Sequence, residues 1–238
     1  MASALILAAG KATRLEGIRE LYAKANVPVG NTTPLRFLLE ALGDSYEDLW
    51  INLHFKGDQV RKQAEQYVAE GVRLHFIEEP RLLGTGGTLL EMVQQKGDLP
   101  DLVVNAKMFT DFEFASMHRA GSGTLVLHTQ SDLHTFGGLT FDAQHRIVGL
   151  CPKGEQPKDG LAAAVFTGIC KPSRIWLAAL EEARRFHPDD VLCFIRHGLL
   201  PSLADAPHHA MAQLHAGSWC EISTPERVQE AIHQLSLL

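Results

Sequence analysis

Short apolar runs of strand length alternate with stretches of helical period along most of this chain, and that alternation restricts the fold more than any other feature. Leu5–Ala9, Leu49–Leu53, Val72–Ile77, Leu102–Asn105 and Thr124–His128 read as strands. Pro34–Leu42, Gly57–Glu70 and Thr88–Gln95 carry helix spacing between them, and Leu35, Leu38, Leu39 and Leu42 share one face of the first. Such alternation predicts an α/β fold, a mostly parallel twisted sheet with helices on both faces. Gly84–Gly87 reads as a turn and Phe112–His118 as a short helix. Further on, Gly138–Phe141, Ile147–Cys151 and Ala163–Ile169 read as strands, and Pro152–Gly160 as a surface loop. Ile175–Phe186 and Val191–Leu203 read as helices. The last helix, Pro225–Leu235, has Thr224 as its N-cap and Pro225 at its first position.

Composition narrows the partners. The chain has 238 residues, 45% of them hydrophobic, which suits one domain with a sizeable core. A formal net charge of -6 argues against a nucleic-acid or anionic-membrane surface. No apolar run approaches the ~20 residues of a membrane span, and the N-terminus does not read as a signal peptide. Cys151, Cys170, Cys193 and Cys220 form no Cys-x-x-Cys pair and read as free thiols, so a cytoplasmic location is expected. His208, His209 and His215 lack the spacing of a metal site and read as a solvated loop.

Two segments carry chemistry. In LILAAGKATR, a strand ends at Ala8, Ala9 and Gly10 and a loop carries Arg14. Backbone N–H groups there can face phosphate oxygens, and Arg14 can add a charge-assisted contact. A buried strand followed by an exposed arginine explains the segment equally well, and the Gly-x-Gly-x-x-Gly fingerprint of dinucleotide sites is missing. In EEPRLLGTGG, Gly84, Thr85, Gly86 and Gly87 follow a strand, and the scarcity of side chains there lets a nucleoside approach the backbone. Glu79, just upstream, is a candidate acceptor for a base N–H.

Taken with AKANVPVG, which carries Lys24, these segments resemble the sugar-1-phosphate nucleotidyltransferases. LVVNAKMFTDF resembles the family strand that ends in Asn-Gly-Asp, VFTGI the strand under the sugar, and WCEISTPERVQEA the C-terminal motif. The likeness covers about residues 4–232 and is greatest to short bacterial N-acetylmuramate-1-phosphate uridylyltransferases and mannose-1-phosphate guanylyltransferases. It implies a Rossmann-like single domain, with a nucleotide-binding half at 1–130 and a sugar-binding half at 131–238. It also implies that Arg14 and Lys24 hold the phosphates, with Asn105 and Lys107 beside them, and that Thr167 and Gly168 line the sugar. The implied reaction joins a nucleoside triphosphate, UTP or GTP, to a sugar 1-phosphate and releases pyrophosphate.

The resemblance further implies Mg²⁺ held by two aspartates. Here those positions are Lys107 and Glu221. A longer carboxylate still suits Mg²⁺, but a protonated ammonium does not. A like charge ~4 Å away costs about 4 kcal/mol at an effective dielectric near 20. Asp111 is the nearest replacement ligand, or else caps the Phe112–His118 helix. Ala12, Ala106 and Ser223 replace family glycines in the same region. Two functions follow: nucleotidyl transfer, or nucleotide binding without turnover, with Lys107 discriminating between them. Oligomeric state is left open.

Overall fold

In the computed structural model, which describes residues 2–186 and 191–235, the expected alternation is realised. The elements run β1 Ser3–Leu7, α1 Ile18–Leu21, α2 Pro34–Leu42, β2 Asp48–Leu53, α3 Gly57–Tyr67, β3 Arg73–Glu78, α4 Gly84–Lys96, β4 Leu102–Asn105 and β5 Met108–Thr110. They continue with β6 Thr124–His128, α5 Leu133–Phe136, β7 Gly138–Phe141, β8 Ile147–Cys151 and β9 Ala162–Lys171. α6 Arg174–Phe186, α7 Leu200–Asp205, β10 Met211–His215, β11 Trp219–Glu221 and α8 Pro225–Leu235 complete the described chain. The fold is α/β, with helices flanking a mostly parallel sheet.

The chain divides into two compact units. The first comprises Met1–Leu82, Val104–Ala115 and Ser218–Leu238. In it β1 pairs with β2 and β2 with β3, all parallel. β1 and β2 are almost wholly buried, as strands covered on both faces must be. β5 and β11 form a separate antiparallel ladder, in which Glu221 lies opposite Met108 and Trp219 opposite Thr110. A buried cluster of Leu15, Val27, Val29, Phe109, Ile222 and Val228 knits the loop after β1, the segment before α2, this ladder and α8 together. The charged residues of the site are carried by those elements.

The second unit comprises Leu83–Val103 and Ser116–Gly217. There β6 pairs parallel with β10 and antiparallel with β9, and β7 lies antiparallel to both β8 and β9. Gly84–Gly87 is not a free turn: it is the first turn of α4. The N–H groups of Gly86 and Gly87 donate to the Leu192 carbonyl at 2.7 and 3.4 Å, and Phe194 N–H donates to Thr85 Oγ1 at 3.0 Å. The same contacts break the helix expected over Val191–Leu203, whose first residues are drawn out along α4. Helix then resumes as a π turn at Phe194–Leu199 and continues as α7.

Two more expectations change. His209 is not solvated: its Nε2 accepts the Trp176 indole N–H at 2.7 Å and lies 3.0 Å from Ser202 Oγ, and His215 belongs to β10. The helix expected from Phe112 is a 3-10 turn at Phe114–His118, and Asp111 stands three residues before it. Thr110 Oγ1 accepts the Phe112 N–H at 3.1 Å.

The loop after β1 is strained. Ala12 has φ 54 and Glu16 has φ 45 with ψ -128, a region suited to glycine. Glu16 is exposed, so its side chain offers little in return. Glu16→Gly is expected to stabilise the chain by about 1 kcal/mol despite the entropy lost with glycine. Urea denaturation of the two proteins measures it, and an unchanged or lowered midpoint contradicts the strain.

Candidate functional site

The site is built around one carboxylate. Glu221 ends β11 with its side chain 5% exposed. Its Oε1 accepts from Arg227 Nη1 and from Ser223 Oγ. Its Oε2 lies 3.3 Å from Lys107 Nζ, an ion pair without hydrogen-bond alignment. Lys107 is fixed by its backbone, because its N–H donates to the Asn105 carbonyl at 2.8 Å and its carbonyl accepts from Ile222 N–H at 2.8 Å. Arg227 sits in the first turn of α8, whose N-cap Thr224 accepts Val228 N–H through its carbonyl. The β5–β11 register therefore brings Lys107 and Glu221 together, and the start of α8 supplies Arg227.

Lys24 is placed by α3. Gln59 Oε1 accepts the Ala23 N–H at 2.9 Å, and Asn26 Nδ2 donates to the Gln59 carbonyl at 3.0 Å and to Gln63 Oε1 at 3.1 Å. These bonds pin the 3-10 turn Lys24–Asn26. Burial, together with the charges of Lys107, Arg14 and Arg227, outweighs the attraction of Glu221 and lowers the Lys24 pKa to about 8. Arg14 is exposed in a 3-10 turn that Leu15 anchors in the core. For Glu221, burial opposes the charge, but Lys107, the Ser223 hydroxyl, Lys24 and Arg227 prevail and hold its pKa below the ordinary value. Three cations, Lys107, Lys24 and Arg227, thus act on one carboxylate, and Arg14 acts on Lys24.

The other expected site residues are placed differently. Ala8 and Ala9 donate their N–H groups to Asn52 Oδ1, at 2.6 and 3.2 Å, which also ends β1 two residues early. Asn52 Nδ2 in turn donates to Glu79 Oε1 at 2.8 Å, and Glu79 is buried. Glu79 is thus engaged in holding Asn52. Gly10 is exposed, with open space where a Cβ would stand. Asn105 ends β4, half-buried, and Ala106 N–H extends that strand's pairing to the Leu7 carbonyl at 3.0 Å.

In the second unit, the space beside Gly86 is already filled. A Cβ there would stand 2.5 Å from Leu180 Cδ2 and 3.2 Å from the Leu192 carbonyl oxygen, and one at Gly84 would stand 2.5 Å from that same oxygen. On the side where a Cβ would stand, Gly84 and Gly86 pack closely against Leu192 and Leu180. Thr167 Oγ1 donates to the Val126 carbonyl at 2.8 Å and accepts Ile169 N–H at 3.2 Å, beside Gly168 at φ 90. Its hydroxyl supports an irregularity in β9 and is buried.

These residues do not fit a divalent cation. Asp111 lies past the far end of the β5–β11 ladder from Glu221, about 10 Å away at the rise of a strand. Among the described residues no group of three or more His, Cys, Asp or Glu side chains could hold a metal. Mg²⁺ requires carboxylate or phosphate oxygens near 2.1 Å, and both Glu221 oxygens are already paired, with Lys107 and Arg227. A further double charge would meet repulsion of about 8 kcal/mol from each cation ~4 Å away at an effective dielectric near 20.

Arg227, Ser223, Asn52 and Gln59 were not assigned roles from the sequence. Arg227 had a signal, since a basic residue three positions after an N-cap can point back along the chain. Asn52 and Gln59 had none, because the partners described for them lie 27 to 44 residues away in sequence.

Residues 3–188 match the family model of nucleotidyl transferases. The chain is 24% identical over 181 residues to the bifunctional protein GlmU of Methanocaldococcus jannaschii, covering 76% of this chain and 42% of that protein. It is 24% identical over 230 residues to the mannose-1-phosphate guanylyltransferase of Mycobacterium tuberculosis, covering 94% and 61%. It thus spans about half the length of these relatives. Its fold is similar to that of HddC from Yersinia pseudotuberculosis, solved in complex with GMP-PN, with a TM-score of 0.73 at 20% identity over 99% of this chain and 100% of that one.

The depressed Lys24 pKa has a consequence for stability. The folded value of about 8 lies below the ordinary 10.5, so the fold pays for charging Lys24. That penalty is full below about pH 8 and disappears as pH rises toward 10.5. Lys24→Met is expected to raise the melting temperature of the unliganded chain at neutral pH, with the gain shrinking at alkaline pH. Thermal denaturation across pH measures it; a pH-independent difference contradicts the charge argument.

Proposed function

The chain belongs to the nucleotidyl transferase family, and on that premise we propose that it binds a nucleoside triphosphate and transfers the nucleotidyl group to a sugar 1-phosphate. A phosphate oxygen of the sugar attacks the α-phosphorus. The bond from the α-phosphorus to the bridging oxygen breaks, and pyrophosphate leaves with that oxygen. The single observation that carries the reading is the cluster of Lys24, Lys107 and Arg227 around Glu221, with Arg14 acting on Lys24. Preorganised cations of this kind neutralise the charge of a polyphosphate and of a departing pyrophosphate without reorganising. Arg14 and Lys24 are assigned to the phosphates, with Lys107 beside them and Asn105 and the Ala8–Gly10 segment alongside. UTP and GTP are the candidate donors; binding of GMP-PN by the Yersinia protein supports including GTP. Residues 131–238 are assigned to the sugar.

A second reading, nucleotide binding without turnover, is favoured by one observation. The carboxylate left at the relatives' metal position is paired with Lys107 and Arg227. A screen of pyrophosphate release over several triphosphates and sugar 1-phosphates tests the two. The proposal expects release with at least one pair, reduced about tenfold or more by Arg14→Ala through loss of a charge-assisted contact. Binding of the triphosphate with no release from any pair supports the second reading and contradicts the first.

A further inference from the structure

We infer that Lys107 and Arg227 occupy the electrostatic place of a metal ion, so that this site takes the di- or triphosphate of its ligand without a divalent cation. The inference rests on the proposed phosphate site and goes beyond it by fixing what charge the ligand must bring. A metal-bound polyphosphate arrives with much of its charge cancelled, whereas a metal-free one carries the full negative charge. The second form is the complement of this cluster.

The geometry carries the argument. Glu221 contacts both the Lys107 and the Arg227 side chain, and both of its oxygens face cations. Ser223, standing where the family resemblance has glycine, adds a hydroxyl donor to Oε1. Such a hydroxyl would compete with a cation for that oxygen, since it presents a hydrogen and not a lone pair. Lys107 is held by two backbone hydrogen bonds, at its own N–H and its own carbonyl. Its backbone is thus fixed at the site, its ammonium lies 3.3 Å from Glu221 Oε2, and its side chain is still 34% exposed and available to a ligand oxygen. Lys24 and Arg14 act on the same region, as their mutual repulsion shows. Phosphate oxygens can be met here by fixed charge alone, in the manner of a lysine and arginine clamp.

The test is calorimetric titration of the full chain with inorganic pyrophosphate and, separately, with UTP and GTP, each with EDTA and with excess Mg²⁺. Pyrophosphate is expected to bind in EDTA at least as tightly as in Mg²⁺. Lys107→Asp, which places a second carboxylate beside Glu221, is expected to weaken binding in EDTA at least tenfold and to recover with Mg²⁺. Lys107→Met, which removes the charge and keeps the bulk, is expected to weaken binding under both conditions and guards against misfolding of the Asp variant. Binding by the parent that is tenfold or more tighter with Mg²⁺ overturns the inference, as does failure of pyrophosphate to bind under either condition. Nucleotides that bind only with Mg²⁺ overturn it while leaving the proposed nucleotide function standing. Metal-free pyrophosphate binding with neither nucleotide bound supports the inference and counts against the nucleotide reading.

Discussion

One buried carboxylate with cations on both oxygens organises the functional end of the first unit. Glu221 would be costly to bury alone. Lys107, Arg227 and Ser223 make it tolerable, and in return Glu221 holds two cations that would otherwise repel each other. Removing one partner of a buried pair typically costs about 3–5 kcal/mol, so the cluster has a structural role as well as a chemical one. It ties the turn after β4, the end of β11 and the first turn of α8 together, above the apolar cluster of Leu15, Phe109, Ile222 and Val228.

The strain of the surrounding loop is consistent with a site that favours function over stability. Ala12 and Glu16 adopt backbone conformations that glycine would adopt more easily. Lys24 keeps its charge against burial and three neighbouring cations. Each of these costs the unliganded chain something, and a polyanion would relieve the repulsion among Lys24, Lys107, Arg14 and Arg227. A ligand that binds the folded chain in this way also stabilises it by mass action.

Much of this was legible in the sequence, and the exceptions have physical reasons. α2, β4, β6, β7, β8 and α8 fall where periodicity and capping put them, because each is fixed by its own burial pattern. β5, β10 and β11 were not recognised as strands, since they are three to five residues long and gain their pairing from segments far away. Gly84–Gly87 was read as a turn and instead opens α4, because glycine permits both a turn and close helix packing. Leu192 and Leu180 decide between them, and neither is near in sequence. Lys107 and Glu221 were recognised as the decisive pair from family likeness. Their 3.3 Å contact depends on the β5–β11 register, which the sequence does not spell out.

If the inference above holds, Glu221 serves as an ion-pair partner and not as a metal ligand. Water-proton relaxation during titration of the full chain with Mn²⁺ reads this directly, because bound Mn²⁺ enhances relaxation whatever the enzymatic rate. The account predicts no enhancement that depends on Glu221, with the parent and Glu221→Gln giving the same titration. Tight Mn²⁺ binding by the parent that Glu221→Gln abolishes would contradict it.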